Sequence, residues 1–294
     1  MKSKFIIAVS LMLLSISFFS DVYAKPKKEI GIQLYSVREL MGGSKYAANH
    51  ATVLKALADM GYTYTEAAGY DNGKLYGRTP EEYKNDIESA GLKVLSSHCS
   101  KALSGEELSS GDFSESLNWW KQCIATHKAA GMKYIVNPWI GPQKSLKDLE
   151  TYCRYLNAIG KMCKENGISF GYHNHSYEFQ KIEGQVMYDY MLKHTDPQYV
   201  FFEMDLYWAV MGQAAPVDYF KAYPGRFKMY HVKDRCDIGQ SGMVGFDAIY
   251  NNAATAGLEY SIVELEVSPD MLKSLKASSE YLLNAPFVKA SYKK

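Results

Sequence analysis

Between Phe170 and Phe179 the sequence reads Phe-Gly-Tyr-His-Asn-His-Ser-Tyr-Glu-Phe. Side chains alternate faces along a strand, so His173 and His175 would point the same way at the end of an apolar run. Two imidazoles side by side can hold a divalent metal or move protons. In isolation the pair serves equally well as polar residues satisfied by a loop, and the rest of the chain has to decide. Residues of similar chemistry recur at the ends of other short apolar runs: Gln33 and Tyr35, Glu66, His98, Asn137 and Trp139, then Glu203, Asp205 and Trp208, then His231, Lys233 and Asp234, and finally Glu264 and Glu266. A structural role would favour apolar side chains at such positions. All but the first and fourth runs end in a carboxylate or an imidazole.

His173, Asp205, His231 and Glu264 close the fifth to eighth runs. Together they supply two nitrogens and two carboxylates, a mixed set that suits one divalent ion such as Mn, Co or Zn better than Mg or Ca. Such an ion would polarise a sugar carbonyl and stabilise the enediolate left when a neighbouring C–H proton departs. The structural alternative for Asp205 and Glu264 is loop capping or pairing with Lys233 and Arg235. A base must match the task in geometry and pKa. The candidates are Glu264, Glu66, Glu178, His175 and His98, with Lys233 placed to steady an oxyanion or a substrate hydroxyl. Gln33, Tyr35, Trp139, Asn174 and Trp208 are the candidate substrate contacts, with Tyr207 beside them as a further wall. Trp119-Trp120 falls on a helix and reads as packing.

These residues need elements that bring them to one place. From Lys28 onward a short apolar strand is followed by an amphipathic helix, a glycine, and the next strand. Gly61, Gly91, Gly131, Gly167 and Gly257 stand where a left-handed residue ends a helix. Strands are expected near residues 30–35, 62–67, 93–98, 133–138, 168–173, 199–205, 227–232 and 260–266. Thr79-Pro80-Glu81-Glu82 is a capping box, Ser145 opens a helix with a Leu149, Tyr152, Leu156, Ile159 stripe, and Ser268-Pro269-Asp270 opens the last. Eight strands alternating with helices predict an α/β fold, a single (β/α)8 TIM barrel, whose active site lies at the carboxyl ends of the strands. The rival, an open doubly wound sheet, lacks a glycine-rich phosphate loop after its first strand.

At 294 residues the chain suffices for one such barrel, and a net charge of +1 argues against a nucleic-acid surface. Lys2 and Lys4, an apolar run from Phe5 to Phe19, and Val22-Tyr23-Ala24 fit a cleavable signal peptide over residues 1–24. The run is short for a membrane span, and no cysteine follows closely enough for a lipoprotein site. The expectation is a periplasmic protein with its barrel over residues 25–294, no stable membrane insertion after cleavage, and the alternative of an uncleaved anchor. The five cysteines, Cys99, Cys123, Cys153, Cys163 and Cys236, show no close zinc-type spacing and are expected as free thiols.

Gly31-Ile32-Gln33-Leu34-Tyr35-Ser36, His173-Asn174-His175, Asp205-Leu206-Tyr207-Trp208, His231-Val232-Lys233-Asp234 and Val263-Glu264 together resemble the sugar phosphate isomerase/epimerase family, the xylose-isomerase-like barrels. The resemblance spans essentially the whole chain after the leader. It implies a divalent metal held by Glu, Asp, His and Glu, of which the last three fall on Asp205, His231 and Glu264. The first falls on His173, a departure, with Glu178 as a substitute carboxylate from the loop. In the epimerases two glutamates trade the substrate proton from opposite faces. Losing one suits one-sided chemistry, and some related barrels cleave or hydrate 3-keto sugars. Absence of a phosphate clamp and the expected export point to a non-phosphorylated sugar or keto-sugar as partner. The resulting expectation is an enolising isomerase or epimerase, with a keto-glycoside lyase or hydratase, or a non-catalytic sugar-binding protein, as alternatives. Barrels of this kind are often homodimers.

Overall fold

The computed structural model describes residues 27–293; the leader expected over residues 1–24 lies outside them. Eight parallel strands close a barrel: β1 Gly31–Gln33, β2 Tyr64–Ala67, β3 Lys93–His98, β4 Tyr134–Asn137, β5 Ser169–His173, β6 Val200–Asp205, β7 Met229–Val232 and β8 Tyr260–Val263. Each strand pairs with its sequence neighbours, and β8 closes on β1 through Gly31 opposite Ile262. Every expected strand is present; β3 has the expected bounds, and the other seven are one to three residues shorter where the chain turns into loops.

The strands are short and buried on both faces, as a parallel barrel requires. Their outward side chains join the helix stripes in one continuous layer. Leu149, Tyr152, Leu156 and Ile159 of the helix Leu146–Glu165 all lie in it, as do Val53, Leu57, Leu275 and Leu282 of other helices. The helix ends follow the sequence signals. Thr79 makes the reciprocal capping box with Glu82, and the Ser145 hydroxyl accepts from the Asp148 N–H. Gly131 and Gly257 take φ of 82° and 84°, conformations costly for any residue with a Cβ.

The inward side chains fill the lumen in a pattern set by the two-residue period of a strand. The lower layer is apolar: Tyr64, Leu95, Tyr134, Val136, Phe201, Met229, Tyr260 and Ile262 pack together. Glycines beside the large rings make room for them. A Cβ on Gly31 would meet the Tyr64 ring at 2.4 Å, and one on Gly171 would meet Phe201 at 2.5 Å. Two residues further along, the same columns become ionisable. Tyr64 is followed by Glu66, Phe201 by Glu203 and Asp205, and Met229 by His231 and Lys233.

Strand β3 departs from simple alternation. Thr65 is opposite Val94 but Glu66 is opposite Ser96, so Leu95 is an extra residue. This bulge lets Leu95 join the lower layer while Ser96 and His98 keep step with inward Tyr134 and Val136 on β4. Two small antiparallel hairpins, Tyr70–Asp71 with Lys74–Leu75 and Lys181–Ile182 with Gln185–Val186, decorate the loops after β2 and β5. Both turn through two residues of positive φ, Asn72-Gly73 and Glu183-Gly184. Among the described residues no helix is long and apolar enough to cross a membrane.

Candidate active site

At the carboxyl ends of the strands lies a cavity of about 440 Å3. Its ionisable lining is His98, His173, His175, Glu264 and Glu266, and its aromatic lining is Tyr35, Tyr70, Trp119 and Trp139. Beneath it the remaining polar residues form one buried network. Glu66 Oε1 accepts from Gln33 Nε2 at 2.9 Å and lies 2.8 Å from His231 Nε2 and 3.0 Å from His98 Nε2. The same His98 nitrogen is 2.8 Å from Glu203 Oε2, which also faces His173 Nδ1 at 3.4 Å. The rings of His98, His173 and His231 sit with centroids 4.5–5.0 Å apart. On its other side His231 Nδ1 faces Glu264 Oε2 at 3.4 Å. Lys233 reaches Glu264 at 3.1 Å, pairs with Glu266, and stands over the Trp208 ring.

Charge in the network is set by competition between burial and neighbours. Burial works against the Glu66 and Glu264 carboxylates, but adjacent imidazoles, with Lys233 beside Glu264, hold both well below the usual range. Burial opposes the charge on His98 too, yet Glu66 and Glu203 lift it to about 10. His231 is raised for the same reason. His173, buried next to cationic His231 and His98, is pushed well down, and burial with Lys233 lowers His175 to about 4. Burial raises Asp205 to about 7 against the pull of Lys233 and His231.

Several strand-end side chains fold back to fix the loops. Gln33 Oε1 accepts the Tyr35 N–H, Asn137 Oδ1 that of Trp139, and Asp205 Oδ1 that of Trp208. Each bond satisfies a backbone donor where the ladder stops, and each places an aromatic ring. Asn174 pairs its amide with the backbone of Asp205 in both directions, at 3.1 and 3.3 Å. Gln33 and Asn174, expected as substrate contacts, are thus fully buried and engaged in positioning Glu66 and Asp205. Glu178 is engaged as well. It accepts from Tyr172 Oη at 2.7 Å and from the His175 N–H at 2.9 Å, which anchors the loop that carries His175.

Two groups of donor atoms, each within 4.8 Å of one another, could hold a cation here. One is Asp205, His231 and Glu264; the other is His98, His173, Glu203 and His231. The sequence-derived set straddles them, since His173 belongs to the second. The first group fits a divalent metal on two counts. Asp205 Oδ2 and His231 Nδ1 are buried without hydrogen-bond partners. The opposite nitrogen, His231 Nε2, meets Glu66, the carboxylate that conventionally orients a metal-binding imidazole. Oxygen and nitrogen donors of this kind suit Mn, Co or Zn.

Sequence reasoning noted Glu203 at its strand end but gave it no role; the structure makes it a hub between His98 and His173. Tyr70 was missed altogether, although Asn72-Gly73, a strong hairpin signal, begins two residues after it. The tryptophan pair divides. Trp120 is fully buried as packing, whereas Trp119 lines the cavity.

Comparison with known proteins agrees with the barrel fold. The family model for the xylose isomerase-like TIM barrel matches residues 54–285. Two solved structures of sugar phosphate isomerase/epimerases from Parabacteroides distasonis superpose with a TM-score of 0.81 each. One is 33% identical over 91% of this chain and 97% of that one, the other 36% identical over 89% and 100%. An L-ribulose 3-epimerase shares the fold at a TM-score of 0.67 and 14% identity, over 86% of this chain and 92% of its own. No curated protein matches.

Proposed function

The chain belongs to the xylose isomerase-like TIM barrel family, and from that premise we propose that it is a divalent-metal-dependent sugar isomerase or epimerase that works by enolisation on a non-phosphorylated sugar or keto-sugar. The observation that carries this reading is the convergence of Asp205, His231 and Glu264 from adjacent strands, with two buried donor atoms, Asp205 Oδ2 and His231 Nδ1, that make no hydrogen bond, the latter facing Glu264 of the same group at 3.4 Å.

Asp205, His231 and Glu264 would hold the ion, with His173 next to them as the residue in the fourth position. When bound, the ion supplies a Lewis acid beside a sugar carbonyl and acidifies the neighbouring C–H. Glu66 keeps His231 in one orientation through its Nε2. Lys233 balances the charge of Glu264 from beneath the cavity. His175 lines the cavity and makes no hydrogen bond through its buried Nδ1, and it is the residue placed to take the substrate proton. Tyr35, Tyr70, Trp119 and Trp139 offer flat apolar surface to the C–H faces of a sugar ring. The lining contains two carboxylates and, among the described residues, neither lysine nor arginine, a poor environment for a phosphate. Export by the leader at residues 1–24 would fit the same substrate class.

A second reading, a keto-glycoside lyase or hydratase, is favoured by the asymmetry of the cavity. Imidazoles His173 and His175 stand on the β5 side and carboxylates Glu264 and Glu266 on the β8 side, in place of a matched pair of glutamates.

The test is elemental analysis of the purified protein beside Asp205→Ala and Glu264→Ala, followed by a keto-sugar screen for proton exchange in deuterated water. An ion present in the wild type and missing from both variants, with deuterium entering next to the carbonyl, supports the proposal. Aglycone release would select the lyase reading. If the wild type takes up no ion that depends on Asp205 and Glu264, even with Mn, Co or Zn added, the enolisation mechanism falls.

A further inference from the structure

Behind the cavity wall lies a second group of residues capable of chemistry. Cys99 follows His98 at the end of β3, and Cys123 and His127 stand one turn apart on the helix Ser114–Ala129 that packs outside that strand. Residues four apart share a helix face, so both side chains point at the strand end. All three are buried, and their two sulfurs and one imidazole nitrogen lie within 4.8 Å of one another.

The imidazole is pre-aimed. His127 Nδ1 is 2.6 Å from the Cys123 carbonyl oxygen, so that nitrogen carries the proton and donates it. Nε2 is left with its lone pair, 3.3 Å from Cys99 Sγ. A backbone carbonyl that fixes the tautomer of a histidine in this way is the usual support of a metal-binding imidazole. Bonds of about 2.0–2.3 Å in a tetrahedron put sulfur and nitrogen donors roughly 3.6 Å apart. The Cys99–His127 spacing already fits; Cys123 Sγ rests 3.5 Å from His127 Nδ1 and has to turn toward Nε2 to complete the set. Cys99 also forms part of the sugar cavity lining, which gives an ion a route from solvent.

We propose that Cys99, Cys123 and His127 form a second cation site, for Zn2+ or another thiophilic divalent ion, separate from the oxygen-rich site at the ends of β6 to β8. Binding exchanges two thiol protons for one cation. Both cysteines bind as thiolates, His127 binds through Nε2, two protons leave to solvent, and no electron is transferred. Three protein donors leave the fourth position to water. An ion there would tie the end of β3, and with it His98, to the outer helix.

The probe is Co2+ added to the reduced full chain, read by absorbance. A thiolate bound to cobalt gives a near-ultraviolet charge-transfer band that oxygen and nitrogen ligands do not. The expected band saturates near one Co2+ per chain, is displaced by Zn2+, disappears in Cys99→Ser and in Cys123→Ser, and persists in Asp205→Ala. Persistence in Asp205→Ala keeps this site distinct from the sugar site, so either can fail alone. Absence of the band in the wild type overturns the proposal whatever the variants do. A band retained in both serine variants overturns it too, since Cys153, Cys163 or Cys236 would then be its source. Should a serine variant misfold by circular dichroism, His127→Gln replaces it, with loss of the band again the expected result.

Discussion

The two ends of the barrel lumen are built from the same strands by the same alternation, yet they have opposite chemistry. Phe201, Met229 and Tyr260 close the lower end in a layer of rings and aliphatic chains. A single step up the same columns reaches Glu203, His231 and, past Ile262, Glu264. The lower layer needs only volume, which is why glycines at Gly31 and Gly171 can stand opposite large rings. The upper layer needs every buried charge matched. Glu66 alone has Gln33, His98 and His231 around one oxygen. Burying charges costs several kcal/mol each unless partners offset it. The apolar plug below therefore lets the network above be organised for function rather than for stability.

That contrast can be broken from either end. The largest effect is expected from below. Phe201→Ala removes a ring packed on Gly171 and Tyr134 and should cost about 3–5 kcal/mol in denaturant unfolding, while metal uptake by the folded fraction stays unchanged. From above, Glu66→Gln preserves shape but removes the charge that orients His231. Metal affinity measured by competition with a chelator should fall by about 10- to 100-fold with little change in fold. The smallest effect is expected at the rim, where Trp139 is 48% exposed. Trp139→Ala should weaken sugar binding by about 1 kcal/mol in calorimetry and leave both metal content and unfolding midpoint as in the wild type. A Phe201 variant that lost its metal, or a Glu66 variant that lost its fold, would mean the two layers are one unit.

Much of this architecture is legible in the sequence because its signals are local. Apolar runs, helix stripes, the capping box at Thr79 and the glycines after helices each specify an element without reference to the others. The strand-end residues were legible for a related reason, since polar side chains where apolar ones are expected stand out against the period of two. What remained hidden is depth and direction. Gln33, Asn174 and Trp139 all end strands, but two of them bond inward to backbone and carboxylate while the third faces the cavity. Spacing along a strand does not encode that choice; the three-dimensional partners make it. Glu203 illustrates the same point, two residues before Asp205 on one face yet one layer deeper. The hairpin that carries Tyr70 has strands of two residues each, too short for any periodicity to register.

The extra residue in β3 acts as a change of parity. Counting by twos from Leu95 puts Ser97 inside the barrel and His98 outside; counting by twos from Ser96 reverses both. Were the bulge flattened into plain alternation from Leu95 with every residue kept, the inner and outer rows beyond it would exchange: His98 would leave the carboxylates and Cys99 would enter the lumen. Deleting the added residue would instead give regular alternation from Val94, with Ser96 and His98 still inward and only the Leu95 contribution to the apolar layer lost. For this segment length and bulge are a matched pair, and a relative that keeps His98 inward carries both or neither.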